Sequence, residues 1–221
     1  MSNRYSVGQM NQLGDGLEAA DYSIDEVTKL RDPATLAQIK LILMGIAVIV
    51  RSSFKLVLDK AFNPSEFIGQ GWAFWKGSVN GNGLEGDDAC VQEPDIVDFE
   101  HIVLETHLKK GESAIHGEEK MKRARVSKNH QLGSKALLAL WNDYQTKKAE
   151  GKSGDSILEM LRKSGKIGTV IYFFGSVLRD PNGDLSVLSL AFSNGEWSWY
   201  YSWLDDDWIA ANPSASLASV N

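Results

Sequence analysis

A single cysteine, Cys90, is all the chain contains. With no second thiol there is no intramolecular disulfide, so scaffolds stapled by bridges are excluded and the fold must hold by packing. Metal and nucleotide chemistry are also poorly provided for. The four histidines, His101, His107, His116 and His130, stand in no HExxH-type spacing, and one cysteine cannot build a cysteine-rich zinc site. No glycine loop runs into Lys-Ser or Lys-Thr to cradle a phosphate, and no nucleophile elbow occurs. Basic charge is in deficit, 23 Lys and Arg against 29 Asp and Glu for a net charge of -6, whereas nucleic-acid partners draw most of their affinity from a basic footprint. The apolar run LILMGIAVIV, residues 41–50, is too short to span a bilayer and reads as the buried face of a helix or its exit. The opening MSNRYSVGQM sets no charged leader before an apolar core, so no secretory signal is expected and the cytoplasm is the default compartment. After Lys166 there is no further Lys, Gln or Met.

What the chain does have is concentrated near residues 185–204. Two runs of alternating character meet at Asn194-Gly195, the strongest short-range signal for a two-residue hairpin. That turn fixes the register: Phe192 faces Trp197, Leu190 faces Trp199 and Leu188 faces Tyr201, forming one apolar face. Ser193 with Glu196, Ala191 with Ser198, Ser189 with Tyr200 and Val187 with Ser202 form the reverse face, which reads as small and mixed.

With 221 residues the chain can bury a real core, either as one domain or as a small module joined to a medium one. Residues 1–50 read as a separate helical module. Ser23-Ile-Asp-Glu26 is a capping box, and Asp32-Pro33 offers an N-cap with proline in the first turn. Leu36, Ile39, Ile42 and Leu43 are expected on the inward face of the helix that follows. The acidic residues Asp15, Glu18, Asp21, Asp25 and Glu26 favour a packing or docking module over a nucleic-acid binder.

From residue 51 onward the texture becomes mixed α+β. GWAFWKG, residues 71–77, reads as a strand carrying Trp72 and Trp75, and VDFEHIVLETHL as a strand or helix. Residues 134–150 predict a helix with Leu137, Leu140, Trp141 and Tyr144 on one face, and a shorter helix follows with Ile157, Leu158 and Leu161 inward. The basic run KMKRARVSK at 120–128 lacks interleaved aromatics and reads as a solvated face. Oxygen ligands in the glycine-rich loop 80–88, Asn80, Asn82, Glu85, Asp87 and Asp88, do not match the EF-hand spacing. Asp205-Asp206-Asp207 cannot all converge on one cation and reads as exposed. The triplets Glu93-Pro94-Asp95 and Trp141-Asn142-Asp143 invite comparison with the calcium and sugar ligands of animal C-type lectins, but read as chance. No catalytic residue, metal ligand or cofactor site is expected.

The tail FFGSVLRDPNGDLSVLSLAFSNGEWSWYYSWLDDDWIAANPSA, over residues 172–215, resembles the C-terminal variable region of target proteins of diversity-generating retroelements. The leader MNQLGDGLEAADYSIDEVTKL is similar to one that recurs on such chains. The resemblance implies a C-type lectin-like fold over residues 51–221, in the calcium- and disulfide-independent branch that also holds formylglycine-generating enzymes, preceded by the helical module. In this family a reverse transcriptase copies a template repeat with errors at adenines, and the copy replaces the end of the target gene. Errors at the adenines of an AAC codon reach Tyr, Ser, Asp, Ile and Ala but never Lys, Gln, Met, Glu or Trp. The resemblance thus implies a hypervariable, ligand-binding set at Ala191, Ser193, Ser198, Tyr200, Ser202, Asp206, Ile209, Ala210 and Ala211. Trp197, Trp199, Trp203 and Trp208, outside the reachable set, would form the fixed scaffold. The expected function is recognition of a protein or glycan without chemistry, with Tyr200 and Ile209 as anchors and no role for nucleic acid or membrane insertion. The alternatives are docking through the N-terminal helices and a lectin-fold oxidase, which would need a second cysteine.

Overall fold

The structure, a computed structural model, describes residues 6–44, 54–75 and 91–219. The chain divides into two compact units, residues 1–51 and 52–221. The first unit carries helices α1 (Val7–Ala19), α2 (Ile24–Lys29) and α3 (Pro33–Leu43). The box at Ser23 forms as its spacing predicts: Glu26 N–H donates to the Ser23 hydroxyl at 3.3 Å, and Ser23 N–H donates to the Glu26 carboxylate at 2.8 Å. A second box, Ser6 with Gln9, starts α1. The expected inward face of α3 is not found as such. Leu36 is 49% and Leu43 82% exposed, Ile39 is half-buried, and the side chain of Ile42 lies outside the described residues. No described residue of this unit is buried, because helices of 13, 6 and 11 residues offer each other little surface. Most of the run at 41–50 also lies outside the described residues.

The second unit is α+β. Its strands are β1 (Lys55–Val57), β2 (Ala73–Phe74), β3 (Ile96–Asp98), β4 (Ile102–Glu105), β5 (Ala114–His116), β6 (His130–Gln131), β7 (Val170–Arg179), β8 (Leu185–Ser193), β9 (Glu196–Trp203), β10 (Asp207–Ile209) and β11 (Ser214–Leu217); its helices are α4 (Pro64–Phe67), α5 (Gly117–Arg125), α6 (Ser134–Ala149) and α7 (Ile157–Lys163). A seven-stranded sheet runs β4-β11-β7-β8-β9, with β2 beside β7 and β6 beside β11. Its pairings are antiparallel except β11 with β7, which is parallel at Ser214 and Tyr172. β1 pairs with β3, and β5 with β10, as separate two-stranded ribbons. The stretch 97–108 resolves into β3 and β4 around a single 3-10 turn. The glycine-rich loop 80–88 and Cys90 lie outside the described residues. Among the described residues, no helix is long and apolar enough to cross a membrane.

Strand alternation sends side chains to both faces of the sheet, and both faces are covered. On one side Ile171, Phe173, Leu188, Leu190 and Trp197 meet Leu137, Leu140 and Tyr144 of α6 and Ile157, Leu158 and Leu161 of α7. This is the helical stripe that the sequence predicts. On the other side Tyr172, Phe174, Val177 and Val187 pack with Ile115, Met121, Leu204 and Trp208 in a second cluster. α5 supplies part of that cover, which corrects the reading of 120–128 as a solvated face. Gly117, Lys120, Met121 and Ala124 recur at helical spacing and are buried; the aliphatic stem of Lys120 lets a charged residue join an apolar stripe.

The start of α5 approaches the chain after β9 so closely that only glycine fits. A Cβ at Gly117 would stand 2.3 Å from the Leu204 carbonyl oxygen and 2.7 Å from Trp208 Nε1. Gly117→Ala is therefore expected to lower stability by about 1–3 kcal/mol through overpacking, measured by urea denaturation. An unchanged midpoint would show that this contact is not fixed.

Candidate functional site

At the hairpin, Asn194 and Gly195 take φ of 52° and 85°, the left-handed pair that a type I′ turn needs and that Asn-Gly supplies at little steric cost. β8 and β9 then pair in the register that the turn dictates, Phe192 with Trp197, Leu190 with Trp199, Leu188 with Tyr201, Ala191 with Ser198 and Ser189 with Tyr200.

The anchoring of the first face is centred on Trp197, which is 1% exposed. Its indole Nε1–H donates to Glu159 of α7 at 2.8 Å, and its backbone N–H donates to the Tyr144 hydroxyl of α6 at 3.3 Å. Arg162 pairs with Glu159 at 2.9 Å and sits 4.0 Å from the ring centroid of Phe192. The Arg162 guanidinium holds the Glu159 carboxyl below the usual carboxylate range, against burial and with help from the Trp197 indole. Trp199 is half-buried and packs on Phe67 at 4.8 Å. Trp203 stacks on Trp72 at 6.2 Å. The apolar face runs out at Tyr201, which reaches solvent while touching Trp72 and Trp203.

The reverse face is not uniformly small and mixed. Val187 and Ser189 are buried, and Trp208, 2% exposed, packs on this side with its ring 4.6 Å from Tyr172 and 4.8 Å from Phe174. Trp208 is thus a scaffold residue for the side opposite Trp197. Beyond it the face opens: Tyr200 is 50% exposed, Ser193 is exposed, and Ala191, Ser198 and Ser202 are half-buried. In the following segment Asp206, Ala210 and Ala211 are exposed and Ile209 is 48% exposed. Trp208 lies on the same side of the sheet as the Ala191, Ser198, Tyr200 row.

The segment 204–212 is held almost entirely by main-chain atoms. Leu204 N–H donates to Leu185 O at 2.8 Å, Gly117 N–H to Asp206 O at 3.2 Å, and Asn212 N–H to Ile209 O at 3.0 Å, while β10 pairs with β5. Three polar side chains complete the set. The Asn212 amide accepts from Ile209 N–H at 3.1 Å and donates to the Tyr172 hydroxyl at 3.2 Å. Lys120 Nζ donates to the Asn212 carbonyl oxygen and lies 4.7 Å and 5.0 Å from the ring centroids of Phe174 and Trp208. Lys120 is fully buried, and burial draws its ammonium down to about 7. Sequence reasoning missed Lys120, Asn212 and Glu159, and placed Tyr144 on the α6 stripe without its bond to β9. The one available signal was Lys120 at i+3 from Gly117 and i-4 from Ala124, on a stripe otherwise small and apolar.

Arrangements that resemble catalytic sites are structural. His107 Nε2 lies 2.9 Å from Ser214 Oγ, but Ser214 is fully buried and its hydroxyl also donates to Glu105 O at 2.9 Å. With that proton so placed, His107 Nε2 serves as the donor, and no substrate reaches the oxygen. Glu93 caps α6 by accepting from Gly133, Lys135 and Ala136 N–H at 2.8, 2.9 and 3.0 Å; burial raises its carboxyl above the usual range despite those bonds. Asp143 accepts from Ile157 N–H at 2.7 Å, at the first turn of α7. Asp205, Asp206 and Asp207 are exposed, and among the described residues no group of three or more His, Cys, Asp or Glu could hold a metal ion. In comparisons with family models, with curated proteins and with solved structures, the chain matches none.

Proposed function

We propose that this chain is a ligand-binding variable protein of a diversity-generating retroelement, with residues 52–221 forming a C-type lectin-like scaffold of the calcium- and disulfide-independent branch. It recognises a protein or glycan by contact alone and performs no chemistry on it. The observation that carries the reading is the contrast within one short stretch: Trp197 and Trp208 are 1% and 2% exposed while Tyr200 and Ile209 are 50% and 48% exposed. At these positions two tryptophans, which adenine errors cannot produce, are packed inside, and a tyrosine and an isoleucine, which they can produce, face outward. Tyr200 and Ile209 offer the largest contact area for the least ordering cost, as interface anchors do. The DNA beside the coding sequence tests this reading. It should contain a near-identical repeat of the codons for 172–215, differing at adenines, next to a reverse-transcriptase gene; their absence removes the main support.

A second reading, docking through the N-terminal helices, draws on Val7, Met10 and Leu13, which follow one another at helical spacing on α1 and are 78%, 55% and 58% exposed. Deleting residues 1–50 separates the two: loss of partner binding with the remaining unit still folded favours docking, and retained binding favours the tail.

A further inference from the structure

We infer that Lys120 is the positioning residue of the 205–212 segment, a clamp that fixes where the exposed side chains of Asp206, Ile209, Ala210 and Ala211 stand without depending on what those side chains are. Among the described residues, every hydrogen bond that holds the segment uses a main-chain atom of the segment, the Asn212 amide or Lys120. Among the described residues, the side chains of Asp205, Asp206, Asp207, Ile209, Ala210 and Ala211 contribute none. The Lys120 bond itself goes to a carbonyl oxygen, which any residue at position 212 would present.

The placement of Lys120 is costly in a way that packing alone does not explain. It is fully buried, and no carboxylate lies within ion-pair distance among the described residues. A buried ammonium is tolerated only when its donors are used. Here they meet one carbonyl and the faces of Phe174 and Trp208, so the charge is satisfied only while the segment is closed over it. Opening the segment takes that acceptor away and returns Lys120 to water, and this couples the state of Lys120 to the closure of the segment.

Titratable groups on the surrounding elements do not take over this role. His107, on the segment after β4, is held below its ordinary value by burial, with the charge of Lys120 acting in the same direction. Arg123 on α5 is paired with Glu112 and Glu119. Tyr172 on β7 faces Lys120 across Asn212, and His116 and Asp207 face each other in the β5–β10 ribbon.

Amide hydrogen exchange of the full chain, followed by mass spectrometry, tests the clamp without any ligand, so its outcome is independent of the binding reading. In Lys120→Met, peptides covering 205–213 should exchange roughly tenfold faster or more, the loss of one bond from a charged donor, while those covering β8 and β9 keep their rates. A chain carrying Asp206→Ser, Ile209→Ser, Ala210→Ser and Ala211→Ser together should keep the wild-type rates over the same peptides. If Lys120→Met does not fold, the wild-type chain carries the test: because burial draws Lys120 down to about 7, the closed segment gains stability as pH rises, so protection of 205–213, corrected for intrinsic exchange, should rise between pH 6 and 8.5 while β8 and β9 hold. Unchanged protection in Lys120→Met, a pH-indifferent loop in the wild type, or equal loosening by the four serine substitutions would overturn the inference.

Discussion

Replacing Trp197 with alanine is expected to cost about 3–5 kcal/mol of stability, the range for removing a large aromatic from a core. The ring is buried between the sheet and the two helices α6 and α7, so its loss leaves a cavity that neighbours on rigid elements cannot fill. Its indole donates to Glu159, and truncation leaves that carboxylate with Arg162 alone. The chain is also tied at this point through the Tyr144 hydroxyl, so a shift of β9 toward the cavity disturbs α6. Tyr200→Ala, three residues along the same strand, is expected to stay within about 0.5 kcal/mol of wild type, as exposed substitutions do. Chemical denaturation of both variants checks the contrast. Equal losses would mean that β9 has no division between an anchored and a free side.

Glu93→Ala is expected to cost about 3 kcal/mol or more, because it strips the acceptor from three N–H groups at the start of a 16-residue helix. Water has little access to replace it, since Gly133, Ser134 and Ala136 are all buried. A Cβ at Gly133 would approach Ser176 Oγ to 2.4 Å, so the helix start has no room to move in search of another partner. Glu93→Gln keeps one acceptor oxygen but turns an amide N–H₂ toward the same donors, and should fall between alanine and wild type. Thermal unfolding of the three proteins gives the order; a Glu93→Ala midpoint equal to wild type would show that the cap is dispensable.

These two residues also mark where sequence reading succeeds and where it stops. Trp197 was legible because Asn194-Gly195 sets the register by itself, and alternation then assigns every side chain of β8 and β9 to a face. The stripe of α6 was legible for the same reason, a period that needs no knowledge of the rest of the chain. Glu93 was not, because the helix it caps begins forty residues later; beside Pro94 and Asp95 it resembled a chance triplet. Lys120 was misread because a charge in a basic run implies solvent, and its acceptor on Asn212 is ninety-two positions away. The resemblance implied that Trp208 is scaffold, but which side of the sheet it covers depends on the path after β9, and three aspartates in a row give no periodicity to follow.

The position of β11 has a consequence for how the protein is made. This strand is inserted between β4 and β7, so residues 214–217 join segments that left the ribosome long before them. Such distant pairings form late and slowly. Until they form, β4 has no neighbour in the sheet and β7 lacks one of its own. Any change between β9 and β11 that stops the intervening chain from closing withholds the final strand, so a faulty version of that stretch fails as a whole molecule instead of surviving with a loose surface.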